Sequence, residues 1–279
     1  MNPTWQSEEE AALYHPQGWR DCWRMIRRAA PMIVVTFGGL IVLMALRLVE
    51  RPLFGQRRPV TGRLTQGVCR INLWLLGFRY HVTGPAAAAP VAIVANHASW
   101  LDIFALNAAQ PLTFVSKAEV ASWPGIGLLA KATGTMFIKR EAREVNTQVS
   151  QMKARLSEGA PLVFFPEGTS GDSRQVLPFK PALFAALTQS GLSGMQVQPV
   201  TVYYDAPAGQ DRRFYGWWGN MDFAPHLLSV LAAPRQGRIV VTRHAPLSCA
   251  AMPDRKALSA ASEAVIRQRL MDHIRAEEA

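Results

Sequence analysis

The sequence has few cysteines and lacks the short motifs of several common enzyme classes. Its 279 residues contain three cysteines, widely separated at Cys22, Cys69 and Cys249. An odd number with no Cys-x-x-Cys pair supports neither a disulfide framework nor a zinc site, so we expect free thiols in a reducing compartment. There is no Gly-x-Ser-x-Gly motif and no glycine-rich phosphate loop ending in Lys-Ser/Thr. Chemistry through a serine or cysteine nucleophile is therefore not expected.

Acidic residues are scarce relative to basic ones. Thirty Lys and Arg against twenty Asp and Glu give a formal net charge of +10, and the sequence pI is about 10.1. Such a chain favours anionic partners, which include anionic lipids, phosphorylated substrates and nucleic acid. No nucleic-acid-binding motif is present, so nucleic acid is not an expected partner. Arginines are dense in the first 63 residues, which suits a membrane-facing collar better than a nucleic-acid tail.

One long uncharged stretch lies near the N-terminus. Eighteen residues separate Arg28 from Arg47 and include the apolar run 31–46, which meets the lower length limit for a bilayer-spanning helix. The run starts too far from the N-terminus for an ordinary signal peptide. Arginines on both sides fit a spanning helix and a helix that dips into one leaflet equally well, and a buried core helix is the alternative. We expect residues 1–84 to be a membrane-anchoring helical region, with a second interfacial helix over Thr61–Phe78.

Short apolar runs alternate with helical patterns after an Ala/Pro-rich linker at residues 84–90. The alternation predicts an α/β domain over 85–279, a mixed central sheet flanked by helices. The expected strands are Val91–Ala95, Leu112–Ser116, Thr135–Ile138, Leu162–Phe165, Val197–Tyr204 and Ile239–Thr242. The expected helices are Ile103–Ala109, Ile126–Ala132, Glu144–Ser157 and Ala182–Gln189. The last 25 residues predict an amphipathic helix with Leu258, Ala261, Val265 and Leu270 on one side.

The segment Asn96–Asp102 follows the first of these strands directly. In a continuous helix, residues five apart point about 140° away from each other, so His97 and Asp102 can meet only across a strand-to-helix turn. Ser99 and Asp102 match a Ser-x-x-Asp capping box, which predicts a helix beginning at Ser99. A carboxylate beside imidazole fixes its tautomer and stabilises the imidazolium, making His97 a competent general base. The alternative is a turn residue and a capping residue without chemistry.

Three later segments also end or begin strands. In Phe164–Ser170, Gly168 permits an unusual backbone angle, and the turn can hold an anion with backbone N–H groups and hydroxyls; the alternative is a plain strand-ending turn. In Gly134–Arg140, Arg140 can clamp a phosphate or carboxylate, and the alternative is a solvated mixed-charge surface. In Val197–Tyr204, a strand with a proline near its start, structure alone explains the pattern.

Taken in this order, the four segments resemble the glycerolipid acyltransferase family, whose best-known member acylates 1-acylglycerol-3-phosphate. Asn96–Asp102 resembles its catalytic motif, Gly134–Arg140 its second motif, Phe165–Thr169 its third, and Pro199 with the following apolar residues its fourth. Residues 117–119 and 123–127 are also similar to the family. The resemblance implies an α/β domain laid on the membrane by N-terminal helices.

The resemblance also implies a role for each site residue. His97 takes the proton from an acceptor hydroxyl, which attacks the thioester carbonyl of acyl-CoA or acyl-carrier protein without a covalent enzyme intermediate. Asp102 orients His97. The residues carried over as binders of the acceptor head group are Arg140, Glu167, Gly168 and Thr169. No metal or redox cofactor is expected.

The acceptor and the location follow from the same resemblance. Lysophosphatidic acid, giving phosphatidic acid, is the expected acceptor. The segment Tyr215–Leu227 resembles bacterial relatives that include acyltransferases for lyso-ornithine and other lyso-aminolipids, so a lyso-aminolipid is the alternative acceptor. The other interpretation of this segment is a tryptophan-rich structural flap. First-position acylation of glycerol-3-phosphate stays open, and the rival of another class is a non-catalytic, basic membrane-binding protein. We expect the cytoplasmic (inner) membrane, with the active site on the cytoplasmic side where acyl donors are made.

Overall fold

The N-terminal part of the molecule is a pair of helices. A computed structural model of the chain describes Trp5 and residues 13–138, 145–159, 161–188 and 193–278. Helix α1 spans Gly18–Phe54 and α2 spans Thr61–Leu76, and the two pack against each other. Their junction is held by Glu50, whose Oε1 accepts hydrogen bonds from the backbone N–H groups of Val60 (2.8 Å) and Thr61 (3.0 Å). These two N–H groups lie at the start of α2, where a helix leaves them unpaired.

Helix α1 is longer than the expected membrane segment. Its 37 residues continue through Pro31, and at 1.5 Å per residue they extend about 55 Å. Of the described residues, only α1 forms a helix long and apolar enough to cross a membrane by length and composition. Its exposed large apolar side chains are Ile26, Ile33, Val34, Phe37, Ile41, Val42, Met44, Leu46, Leu48, Val49, Leu53 and Phe54, with Trp19 and Trp23 near its start. A surface of this kind is typical of a helix in contact with lipid.

The sheet is mixed, as the alternation predicts. Its strands are β1 (Arg79–Thr83), β2 (Val91–Ala95), β3 (Thr113–Lys117), β4 (Met136–Ile138), β5 (Leu162–Phe164), β6 (Gln196–Asp205), β7 (Arg238–Arg243) and β8 (Leu247–Ser248). They are ordered β1-β7-β6-β2-β5-β3-β4, with β8 paired to β6. β6 runs antiparallel to β7 and β8, and the remaining pairs are parallel.

Helices cover both faces of the sheet. They are α3 (Leu101–Ala109), α4 (Ile126–Ala132), α5 (Val145–Ser157), α6 (Ala185–Thr188), α7 (Phe223–Ala232) and α8 (Arg255–Glu278), with 3-10 turns at Ala118–Ser122 and Cys249–Ala251. Alternate residues of β2 point to opposite faces: Ile93 joins a core with α2, α3 and α7, and Val94 joins a core with α5, α6 and α8. β2 is buried along its whole length, so the turn that follows it is well supported.

Several sequence-based expectations need correction. The edge strand β1 lies before the boundary expected at residues 84/85. Its residues are alternately exposed and half-buried, so its sequence pattern is weak, and β1 forms a strand through its pairing with β7. Helix α7 was not expected. On α8 the buried residues are Leu258, Ser259, Ser262, Ile266, Leu270 and Ile274. Leu258 and Leu270 are buried as expected, whereas Ala261 and Val265 are half-buried. Ser262 tolerates burial because its hydroxyl donates to the carbonyl of Leu258 at 2.8 Å.

Candidate active site

The candidate residues gather at one edge of the sheet. β2 and β5 are parallel neighbours, His97 lies two residues beyond the end of β2, and Glu167 lies three residues beyond the end of β5. The carboxyl ends of parallel strands open into one crevice, which is where α/β sheets place ligands. The topology therefore brings together two segments that are 70 residues apart in the chain.

His97 and Asp102 meet across the turn between β2 and α3. Nδ1 of His97 lies 2.7 Å from Oδ2 of Asp102. The carboxylate is fully buried, whereas the imidazole is 20% exposed. A carboxylate accepts hydrogen bonds, so Nδ1 carries the proton and Nε2 keeps its lone pair. This is the arrangement in which a histidine takes a proton from a substrate hydroxyl.

Asp102 also holds the turn itself, although not as the capping-box prediction has it. α3 begins at Leu101, two residues after Ser99. Oδ2 of Asp102 accepts from the backbone N–H groups of Ala98 (2.8 Å) and Ser99 (3.0 Å). A capping box also needs a bond from the backbone N–H of Asp102 to the Ser99 hydroxyl. This bond does not form, and the Ser99 hydroxyl is buried without a partner among the described residues. Ser99 is therefore a position in the turn, and the carboxylate does the capping.

Asn96 fastens the turn to the neighbouring strand. The β2–β6 ladder ends with Ala95 opposite Val200, while β6 continues. Beyond that point the side-chain amide of Asn96 accepts from the N–H of Val202 at 2.8 Å and donates to its carbonyl at 2.9 Å. Asn96 is 2% exposed. A buried amide paired on both sides gives the turn one fixed position relative to the sheet.

The backbone of His97 is held from the other side by the segment after β5. Its N–H donates to Oε1 of Glu167 at 2.6 Å, and its carbonyl accepts from the N–H of Gly171 at 2.9 Å. The second carboxylate oxygen of Glu167 accepts from the N–H of Leu177 at 2.8 Å. Burial raises the pKa of Glu167 to about 8, while the two N–H donors act in the opposite direction. The contacts of Glu167 are thus with backbone, and its predicted contact with a head group stays a prediction.

Other predicted binding residues surround this clamp. Gly168 adopts a φ of +76°, in the left-handed region that glycine enters without strain, and its N–H closes a turn on the carbonyl of Phe165 at 3.1 Å. Thr169 follows in the same turn and is half-buried. The ring of Phe165 stacks on the imidazole of His97 with centroids 4.0 Å apart, which restricts its rotation. Arg140 lies outside the described residues.

Two further supports of the turn involve the segment Tyr215–Leu227. The indole N–H of Trp100 donates to Nδ1 of His226 at 2.8 Å, and both side chains are buried. Burial lowers the pKa of His226 to about 4, so it stays neutral and accepts this bond. The N–H of Trp217 donates to the carbonyl of Ala98 at 2.8 Å. The segment before α7 and α7 itself therefore brace the loop that carries His97.

The structure thus places an imidazole 2.7 Å from a buried carboxylate at the carboxyl edge of the sheet, in a chain whose N-terminal helix has many exposed apolar side chains. The family model described as Acyltransferase matches residues 79–203, which include His97, Asp102 and Glu167. The chain belongs to this acyltransferase family and is an acyltransferase for lysolipids.

The chain is similar to lyso-ornithine lipid and 1-acylglycerol-3-phosphate acyltransferases and to one crystal structure. The chain is 53% identical over 245 residues to a lyso-ornithine lipid O-acyltransferase of Rhodobacter capsulatus, covering 88% of this chain and 89% of that protein. It is 39% identical over 119 residues to a 1-acyl-sn-glycerol-3-phosphate acyltransferase of Neisseria gonorrhoeae, covering 41% of this chain and 45% of that protein. The crystal structure of the 1-acyl-sn-glycerophosphate acyltransferase of Thermotoga maritima matches with a TM-score of 0.66 at 19% identity, over 91% of this chain and 95% of that one. That likeness shows the fold.

Proposed function

We propose that the enzyme transfers a fatty acyl group to the free hydroxyl of lyso-ornithine lipid. The observation that carries the proposal is the similarity to the Rhodobacter capsulatus lyso-ornithine lipid O-acyltransferase, which extends over 88% of the chain and therefore continues beyond residues 79–203 on both sides. The match to the Neisseria enzyme covers 41% of the chain. Lysophosphatidic acid, the first choice from the sequence, therefore becomes the second candidate.

The geometry supports a direct transfer. Nε2 of His97 takes the proton of the acceptor hydroxyl as its oxygen attacks the thioester carbonyl of acyl-CoA or acyl-carrier protein. A new C–O bond forms, the C–S bond then breaks, and the leaving thiolate takes the proton back from the imidazolium. Asp102 stabilises the imidazolium between these steps, because its carboxylate lies 2.7 Å from Nδ1.

The head group is proposed to lie against the turn after β5. Gly168 and Thr169 lie in this turn, and Arg140 is proposed to supply a cation for the carboxylate of an amino-acid head group or for a phosphate. Glu167 is proposed to contribute to acceptor binding indirectly, because each of its two oxygens already accepts a hydrogen bond from a backbone N–H group. Holding His97 and the Gly168 turn together, it would link acceptor binding to the base.

We propose further that α1 lies in one leaflet of the cytoplasmic (inner) membrane, with the active site on the cytoplasmic side. Before the apolar run, Arg28 donates to the carbonyls of Leu231 (2.8 Å) and Ala233 (2.6 Å) at the end of α7. After it, Arg58 donates to the carbonyl of Ala132 at the end of α4, at 2.8 Å. Both ends of the run are thus bonded to the same α/β domain, which supports a helix that does not cross the bilayer.

The test is acyl transfer from labelled acyl-CoA or acyl-carrier protein in membranes that contain the enzyme. The acceptors are lyso-ornithine lipid, lysophosphatidic acid and glycerol-3-phosphate, and the variants are wild type, His97→Ala and His81→Ala. His81 is exposed on β1 and serves as the matched control. We expect transfer to lyso-ornithine lipid, lost in His97→Ala and kept in His81→Ala. Preferred transfer to lysophosphatidic acid would replace the proposed acceptor, and near-normal turnover by His97→Ala would overturn the base.

Two further variants separate orientation of the base from binding of the acceptor. Asp102→Asn is expected to leave a small residue of activity, roughly a hundredth or less, because an amide does not stabilise the imidazolium. Arg140→Ala is expected mainly to raise the acceptor KM. Unchanged KM in Arg140→Ala would remove that residue from the proposed head-group site.

A further inference from the structure

Strand β6 reaches beyond the end of β2 and places a tyrosine under the catalytic turn. The ladder between the two strands stops at Val200, and β6 continues to Asp205. Tyr204, in this extension, is 1% exposed. Its hydroxyl donates to Oδ1 of Asp102 at 2.5 Å.

The two oxygens of Asp102 have different partners. Oδ2 accepts from Nδ1 of His97 and from the backbone N–H groups of Ala98 and Ser99. Among the described residues, Oδ1 accepts from the Tyr204 hydroxyl alone. Without the Tyr204 bond, Oδ1 would be a buried carboxylate oxygen with no partner, which is costly. The Tyr204 bond therefore holds the second oxygen of the carboxylate, and together with the donors on Oδ2 it fixes the plane from which Asp102 orients the imidazole.

Tyr204 is suited to act as a permanent hydrogen-bond donor to Asp102. Burial, followed by the charge of Asp102, raises its pKa well above the ordinary tyrosine value, so its proton stays in place throughout the working pH range. The other titratable groups around Asp102 and Tyr204 are His97, Glu167, Tyr80 and Tyr215. None of these four donates a side-chain hydrogen bond to Oδ1 in the described part of the chain.

We infer that Tyr204 is a positioning residue of the acyl transfer, which holds Asp102 in the plane that aligns His97 and draws off part of its negative charge. The inference rests on the proposed role of His97 as the base. A hydrogen bond to a carboxylate disperses its charge, so the bond from Tyr204 reduces the stabilisation that Asp102 gives to the imidazolium. Tyr204 thus fixes the orientation of the base and limits the negative charge that Asp102 presents to it.

The first test is Tyr204→Phe, which removes the hydroxyl and keeps the ring. We expect kcat to fall about tenfold with the acceptor KM unchanged, because one charge-assisted bond is lost away from the substrate. We also expect the acid limb of the pH–rate profile to move up by about half a pH unit, because Asp102 becomes the stronger partner of the imidazolium. A purely structural tyrosine would not shift that limb.

The matched control is Tyr203→Phe. Tyr203 precedes Tyr204 on β6, points to the opposite face of the sheet, and donates to Oε2 of Glu277 at 2.9 Å. Tyr203→Phe also removes a tyrosine hydroxyl from β6, and we expect the kcat and pH profile of this variant to match those of the wild type. An equal loss in both variants, or a wild-type rate and pH profile in Tyr204→Phe, would overturn the inference.

A second replacement keeps the bond and the packing. 3-Fluorotyrosine at position 204 has a more acidic hydroxyl and donates a stronger bond, so the acid limb is expected to move to lower pH, opposite to Tyr204→Phe. Movement in the same direction for both replacements would contradict the inference. Failure of the proposed base is seen separately, as activity that survives His97→Ala.

Discussion

The side-chain amide of Asn96 forms a two-sided pair with the backbone of Val202, at 2.8 Å to its N–H and 2.9 Å to its carbonyl. The pair continues the β2–β6 ladder with a side chain where the backbone of β2 has already turned away. His97 is the next residue, so this pair sets where the turn leaves the sheet. In the sequence Asn96 is only a neighbour of the histidine; in the structure it is the anchor of the loop.

We predict that Asn96→Ala lowers both stability and turnover. Two buried backbone groups of Val202 lose their partners, which should cost about 2 to 4 kcal/mol of the free energy of unfolding, and kcat should fall at least tenfold. Chemical denaturation and acyl-transfer kinetics measure the two effects. Gln198→Ala is the control. Gln198 is a buried amide on β6, the strand of Val202, and donates to the carbonyls of Pro85 (2.9 Å) and His244 (3.0 Å); this variant should lose stability and keep kcat. Normal turnover in Asn96→Ala would refute its anchoring role.

Glu167→Gln should mainly reduce kcat. Both oxygens of Glu167 face backbone N–H groups, and the amide of glutamine presents an NH2 group to one of them. One buried donor is then left unpaired, so we expect a loss of about 1 to 3 kcal/mol in stability and at least a tenfold loss in kcat.

The control for this variant is Glu263→Gln on α8. Glu263 also accepts a backbone N–H, that of Phe179 at 2.7 Å, and has no bond to the catalytic turn. A Glu167→Gln enzyme with normal kcat and a raised acceptor KM would favour the direct head-group contact expected from the sequence.

His226 should make the enzyme less stable as the pH falls from about 6.5 to about 4. Its pKa is about 4 in the folded state because burial disfavours the imidazolium, whereas an unfolded histidine titrates near 6.5. Between these values only the unfolded chain binds the proton, so protonation favours unfolding, and the loss reaches about 3 kcal/mol at pH 4.

The measurement compares the wild type with His226→Gln, which does not titrate. Denaturation midpoints at pH 7.5, 6.0, 5.0 and 4.5 should show the wild type losing more stability than the variant at each step down. Parallel pH dependences in the two proteins would show that His226 is not buried in its neutral form.

The two ends of α1 should be accessible from the same side of the membrane. Cys22 is exposed near the start of α1, and Cys69 and Cys249 are buried, with burial raising the pKa of the Cys249 thiol to about 11. A membrane-impermeant maleimide should therefore label Cys22 in the wild type, and Gln56→Cys in a Cys22→Ser background reports the other end. We expect labelling of both in inverted vesicles and of neither in sealed right-side-out vesicles. Labelling of the two ends from opposite sides would show that α1 spans the bilayer.

Local patterns in the sequence were sufficient for most elements of the α/β domain. β2 is an uninterrupted apolar run, and its predicted bounds agree with the structure. The His97–Asp102 contact was predictable because a five-residue spacing after a strand leaves only a turn that can bring the two side chains together. Edge strand β1 and helix α7 were missed, since their burial depends on β7 and α1.

By itself, the sequence predicted the contact of His97 with Asp102, the alternating α/β domain and the apolar N-terminal segment, because each depends on residues that are close together in the chain. Only the tertiary structure decided what lies behind those residues: Tyr204 on Asp102, Asn96 on Val202 and Glu167 on the backbone of His97. These partners are 70 to 106 residues apart in the chain, and no local pattern records which buried polar groups will face one another. Strand order and register decide which of these groups meet. The three bonds form because β6 extends beyond the end of β2 and because β5 lies beside β2.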